Sequence, residues 1–285
     1  MGKKNNPVIS IIFWAIIFIT IIFIIRCFTN NFSNKQSNQS QETEKEPLNG
    51  KYQLKFNDSF NKSLASQDDL GLSILIAIDC SGSMYDLPKN AADDKRKYQI
   101  ASESLTEIVT FLNNFYENIS KKENLKIKIG LAKFSSKVQI LFDLNDLNND
   151  NFEKLKSITS DINNFQPTGY TAIGETLKIC SEQLVQSGTI FKSLIIITDG
   201  ENTTGVEPDK VLDAIVNSRN NKNTEDFPVL TNNILVSFVG FDVNSSIFND
   251  LHDIGSRITS ASNKEELNES LKNLFLADIT KLESK

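Results

Sequence analysis

Five oxygen-bearing side chains stand where they could converge on one ion. Asp79, Ser81 and Ser83 occupy alternate positions in the run Asp79-Cys80-Ser81-Gly82-Ser83. In a tight loop leaving a strand, residues at i, i+2 and i+4 can turn toward a common centre, and Gly82 lets the backbone turn between them. Thr171 lies in a second loop, Thr168-Gly169-Tyr170-Thr171-Ala172, and Asp199 directly follows the run Ser193 to Thr198. The set holds two carboxylates and three hydroxyls, with no nitrogen and no thiolate donor. Such donors suit a hard divalent cation of octahedral preference, Mg²⁺ first and Mn²⁺ or Ca²⁺ next, and do not suit zinc or copper. The competing reading is that Asp79 and Asp199 only cap the helices that follow them.

The elements that must carry these residues are legible as apolar periodicity. Leu72 to Ile78 (LSILIAI) and Ser193 to Thr198 (SLIIIT) are continuous apolar runs, the pattern of central strands buried on both faces, and each ends in an aspartate. Ala101, Leu105, Ile108, Leu112 and Phe115 recur at spacings of three and four. They predict a helix over 94–116, with Asp93 and Asp94 suited to its start. Residues 125–134 and 138–142 read as strands joined by Ser135-Ser136-Lys137 alone, a connection short enough to force them antiparallel. Further helices are expected at 173–184, 208–219, 247–254 and 264–276, with strands at 234–239 and 257–260. Strands alternating with helices imply an α/β doubly wound, mostly parallel six-stranded sheet with one antiparallel edge strand. Ligands of such sheets sit beyond the carboxyl ends of the strands, where strand order reverses.

The chain has 285 residues, 39% of them hydrophobic and 23% charged, ordinary for a globular protein. Its formal charge is −6, and residues 1–26 hold Lys3, Lys4 and Arg26 with no acid, so the body is more acidic still. That balance argues against nucleic acid as a partner. Three cysteines (Cys27, Cys80, Cys180) do not make a disulfide scaffold, and the single histidine, His252, disfavours histidine chemistry. Val8 to Ile25 is apolar but for Ser10 and Thr20. As a helix it would span about 27 Å, close to a hydrocarbon core. Large residues before Cys27 argue against cleavage or lipidation there, and Asn6 against myristoylation of Gly2. The expectation is therefore an uncleaved signal-anchor: a transmembrane helix within residues 1–29, spanning 8–25. Lys3 and Lys4 tip the N-terminus inward, which makes a single-pass cell-membrane protein with its domain extracytoplasmic. Residues 30–50 are polar and low in complexity and read as a flexible tether. Residues 51–69 form a leading segment in which Tyr52, Leu54 and Phe56 alternate like a strand. One domain fills 70–280, and 281–285 is a tail.

Asp79-x-Ser81-x-Ser83, Thr171 in its own loop and Asp199-Gly200 after a strand resemble the metal-ion-dependent adhesion site (MIDAS) of the von Willebrand factor type A (VWA) domain family, in its bacterial form. The resemblance covers residues 70–280, includes the antiparallel edge hairpin, and extends to Ser83-Met84 and to the closing stretch Ser260 to Leu267. It implies a Rossmann-like domain that binds protein. It also implies that the serines and the threonine touch the metal, that the aspartates often act through water, and that a partner's Asp or Glu carboxylate completes the shell.

Three functions follow. The first is a membrane-anchored, non-enzymatic module that captures a protein partner through a divalent cation, for adhesion or complex assembly. The second is a regulatory or scaffold subunit working beside an ATPase or within an envelope complex. The third is a phosphoryl-transfer hydrolase, disfavoured because such enzymes want a second carboxylate two residues after the first, where Ser81 stands. No G-x-S-x-G nucleophile elbow is present either.

Overall fold

The computed structural model describes residues 69–91, 94–120, 126–220 and 234–283. All belong to a compact unit, Gly50–Lys285. The expected membrane helix at 8–25, the tether and the leading strand lie outside the described residues, and among those described no helix is long and apolar enough to cross a membrane.

Six strands form one sheet: β1 (Asp69–Asp79), β2 (Lys126–Phe134), β3 (Val138–Asp146), β4 (Thr189–Thr198), β5 (Ile234–Phe241) and β6 (Arg257–Ala261). Their order is β3-β2-β1-β4-β5-β6. Every neighbouring pair is parallel except β2 and β3, the hairpin that puts one antiparallel strand at the edge. The helices are α1 (Lys97–Phe115), α2 (Asn149–Ser160), α3 (Ile173–Val185), α4 (Pro208–Asn220), α5 (Asn249–Ile254) and α6 (Lys264–Glu283).

Alternation along β1 divides the core in two. Leu72, Ile74, Ile76 and Ile78 pack toward α1 and α6, with Leu105, Leu112, Leu271 and Phe275. Leu75 and Ala77 face the other way, toward α3 and α4, with Leu177, Leu184, Leu212 and Ile215. Both faces of the strand are covered, which is why its sequence is apolar without a break. From β1 the chain leaves through α1 on one face to β2. It returns through α3 on the other face to β4, on the opposite side of β1. Strand order therefore reverses between β1 and β4, and the crevice lies at their carboxyl ends.

Two local expectations are corrected. The first helix begins at Lys97, not Asp94: Arg96 is its extended N-cap, and the Gln99 side chain accepts from the Arg96 N–H at 2.8 Å. Helix α2 lies in a stretch where no helix was expected. Its buried residues, Phe152, Leu155 and Thr159, are sparse within a polar run, and its clearest local mark is the Asn148 cap accepting from Asn151 N–H. Beyond these, β3 and α6 run on past their expected ends, to Asp146 and Glu283.

Candidate metal centre

The loop leaving β1 turns at once into a 3-10 turn, Gly82–Tyr85. Asp79 is fully buried at the strand end. Its Oδ1 accepts the Ser81 N–H at 2.7 Å and its Oδ2 accepts the Thr198 hydroxyl at 2.6 Å, so the ends of β1 and β4 are tied through one carboxylate. Ser81 Oγ and Ser83 Oγ stand 3.3 Å apart. The Ser83 hydroxyl donates to Asp199 Oδ1 at 2.7 Å, across the crevice. Four of the five residues singled out are thus joined by direct hydrogen bonds.

Thr171 is held in the adjoining loop by backbone. Thr168 N–H donates to Cys80 O at 2.8 Å and Gly82 N–H to Gly169 O at 3.0 Å, which zips the two loops together. Thr171 N–H donates to Thr203 Oγ1 at 2.8 Å and Thr171 O accepts from Thr203 N–H at 2.8 Å, which fastens it to the loop after Asp199. Gly169 has φ +75, and a Cβ there would meet Ser136 Oγ at 2.5 Å, so a side chain at this crossing would be strained and would displace the Ser136 hydroxyl.

The capping alternative does not describe these aspartates. Helix α1 starts well downstream of Asp79 with Arg96 as its cap, and α4 starts at Pro208 with Asp209 as the acid of its first turn. Burial pushes the Asp79 carboxyl up to about 6, against the hydrogen bonds from Thr198 and Ser81, with the Asp199 charge adding to the rise.

Two side chains not anticipated from sequence complete the rim. Lys97, at the first turn of α1, donates from Nζ to Asp199 Oδ2 at 3.0 Å and lies 3.4 Å from Asp242 Oδ2. Burial lowers the affinity of that amine for its proton, but the charges and hydrogen bonds of Asp199 and Asp242 outweigh it and raise the pKa. Asp242 follows β5 just as Asp199 follows β4, so an apolar strand ending in aspartate was a readable signal. Lys97 carries none.

Elsewhere the sequence reading fits. Cys80 and Cys180 are free and buried, and the His252 side chain is solvent-exposed. Glu201, next to the site, is exposed.

The donor chemistry fits a hard cation. Among the described residues no group of three or more His, Cys, Asp or Glu side chains is placed to hold a metal. A cation at this rim would rest on hydroxyl oxygens beside Asp79 and Asp199. Because the Ser83 proton is donated to Asp199, Ser83 Oγ can only accept from the Ser81 hydroxyl, which leaves it one lone pair for such an ion.

A doubly wound sheet with its polar cluster at the β1/β4 crevice defines a Rossmann-like α/β domain. The von Willebrand factor type A domain profile matches residues 73–277, and the chain belongs to that family. No curated protein sequence matches it. Similar solved structures include the PilB minor pilin from Streptococcus sanguinis, at 17% identity and TM-score 0.51, covering 72% of this chain and 60% of that one. BatB from Bacteroides thetaiotaomicron is 17% identical with TM-score 0.52, covering 75% of this chain and 100% of BatB. The pilus adhesin SpaC from Lactobacillus rhamnosus GG is 16% identical with TM-score 0.52, covering 76% and 31%. At these identities the likeness is one of fold, and this chain matches less than two thirds of the pilin and about a third of the adhesin.

Proposed function

We propose that the protein is a membrane-anchored VWA domain that captures a protein partner through a divalent cation, Mg²⁺ in the first instance, held by Asp79, Ser81, Ser83, Thr171 and Asp199. The observation that carries this reading is the 2.7 Å bond from Ser83 to Asp199, which draws residues 116 positions apart into one oxygen cluster. Domains of this family are in general interaction modules rather than enzymes. The bound cation would supply an electrophilic contact for a partner's Asp or Glu carboxylate and reverse the local sign of an acidic surface. The chain's own part is to aim hydroxyl oxygens at one point and to keep the Asp79 charge buried behind them. The anchor would be residues 8–25, and Lys3 and Lys4 ahead of it would leave the domain on the extracytoplasmic side. The pilin and adhesin among the structural neighbours agree with a surface role.

A second reading, a scaffold subunit in an envelope complex, is favoured by one observation. The domain matches BatB, and also an aerotolerance-related membrane protein from Bacteroides fragilis, over the whole of each chain. The two readings share the site and differ in partner.

The test is a pull-down from envelope extract with the full-length chain in detergent, in Mg²⁺ and in chelator, beside Ser83→Ala. Capture lost in chelator and in the variant is expected. Capture equal in all three samples defeats the proposal.

A further inference from the structure

Three adjacent strands end in an aspartate at the same rim: Asp79 on β1, Asp199 after β4 and Asp242 after β5. The Lys97 ammonium answers two of them, Asp199 and Asp242. We propose that Lys97 and Asp242 form a built-in counter-charge pair that holds Asp199 outside the direct ligand shell and sets the cation affinity of the site.

Both oxygens of Asp199 are engaged. Oδ1 accepts the Ser83 hydroxyl and Oδ2 accepts Lys97 Nζ. A carboxylate so tied to Ser83 and Lys97 takes its part in holding an ion through the Ser83 hydroxyl or through water. Lys97 has little freedom to leave: its side chain is 10% exposed, and its backbone N–H donates to Asp86 O at 3.0 Å, which pins the start of α1 beneath the loop.

Asp242 is anchored with equal care. Its side chain is 4% exposed. Its N–H donates to Ala261 O at 2.7 Å, and both carboxylate oxygens accept the Lys89 N–H at 3.1 Å. It is also the one non-glycine among the described residues with positive φ, at 58°. A residue kept in that region is held there by its surroundings, and such positions gather at functional sites. Here the conformation presents the carboxylate to Lys97.

The electrostatic consequence has a definite sign. A fixed positive charge beside a cation site weakens cation binding, and a fixed negative charge strengthens it. Removing the Lys97 charge therefore tightens binding, whereas removing the Asp242 charge leaves Lys97 uncompensated and loosens it. Loss of a merely structural contact would weaken binding in both cases.

The inference rests on the cation-binding reading above, and one titration series separates the two. Mg²⁺, and Mn²⁺ as a second probe, are titrated calorimetrically into the full-length chain in detergent and into Lys97→Met, Lys97→Arg and Asp242→Asn. Tightening of about tenfold or more in Lys97→Met is expected, with Lys97→Arg near the parent and Asp242→Asn weaker by a similar factor. Asparagine is suited to the positive φ at 242 and keeps an acceptor for Lys89 N–H. Equal or weaker binding in Lys97→Met overturns the inference. If that variant does not fold, Asp242→Asn decides: unchanged or tighter binding overturns it. A parent chain that takes up neither ion removes the cation-binding reading itself, and the inference with it.

Discussion

The Ser83 hydroxyl donates to Asp199 Oδ1 at 2.7 Å, joining the loop after β1 to the loop after β4 across 116 residues of chain. Beneath that bond, Thr198 donates to Asp79 Oδ2 at 2.6 Å, so two side-chain bonds reinforce the β1–β4 ladder at the crevice. The consequences concern charge, space and thiol chemistry.

Asp79 makes stability depend on pH in an unusual direction. Its folded-state pKa, about 6, lies above the ordinary 3.8, so the folded state binds the proton more tightly. The cost of burying the charge is therefore full above pH 6 and is relieved as pH falls through 6 toward 4. A shift of this size corresponds to about 3 kcal/mol. Asp79→Asn removes the charge and keeps an acceptor for Ser81 N–H. In chelator, urea unfolding at pH 7.5 should show the variant more stable than the parent, with the gap closing by pH 4. A gap that is constant with pH would show that Asp79 burial is not the cause.

Gly174, in the first turn of α3, is a packing requirement. A Cβ there would stand 1.8 Å from Val206 O, backbone of the loop that also carries Thr203. Alanine in place of glycine would gain about 1 kcal/mol of helix propensity. Overpacking against a fixed backbone costs about 1–3 kcal/mol and more in tight sites, so the clash wins. Gly174→Ala should lower the thermal midpoint by several degrees. An unchanged or higher midpoint would mean that the 202–206 loop yields freely and does not hold Thr171 in place.

The two thiols within the domain should be inert while it is folded. Burial, with the Asp79 charge behind it, pushes Cys80 up to about 12, and burial alone raises Cys180 beyond the ordinary range. Only the thiolate reacts, so both should escape iodoacetamide at pH 8 and be labelled together once the domain unfolds in urea. Labelling of Cys80 under native conditions, read by mass spectrometry, would contradict the closed packing described at the base of the loop after β1.

Much of the domain was readable from residue order because the governing physics is local. A strand covered on both faces must be apolar throughout, as at Leu72 to Ile78, and a helix over a sheet must repeat its apolar residues every three or four. Asp79, Ser81 and Ser83 stood out because their spacing and chemistry coincide within five residues. The start of α1 was misplaced because two acids at 93 and 94 look like a helix start. The observed start is set by contacts around Arg96: its guanidinium donates to Tyr85 O at 2.7 Å, and Gln99 closes back on its N–H. Helix α2 was missed because its apolar face is narrow and the rest of it is Asn, Asp and Lys.

Tertiary structure alone decided which charges meet. Lys97 reaches Asp199 and Asp242 only because α1 is folded under the crevice and β4 and β5 lie side by side, and no periodicity in the sequence encodes an ion pair between residues 102 and 145 positions apart. Side-chain chemistry and spacing declare what a residue can do. Which partner it meets depends on strand order and crossover, which the whole chain settles together.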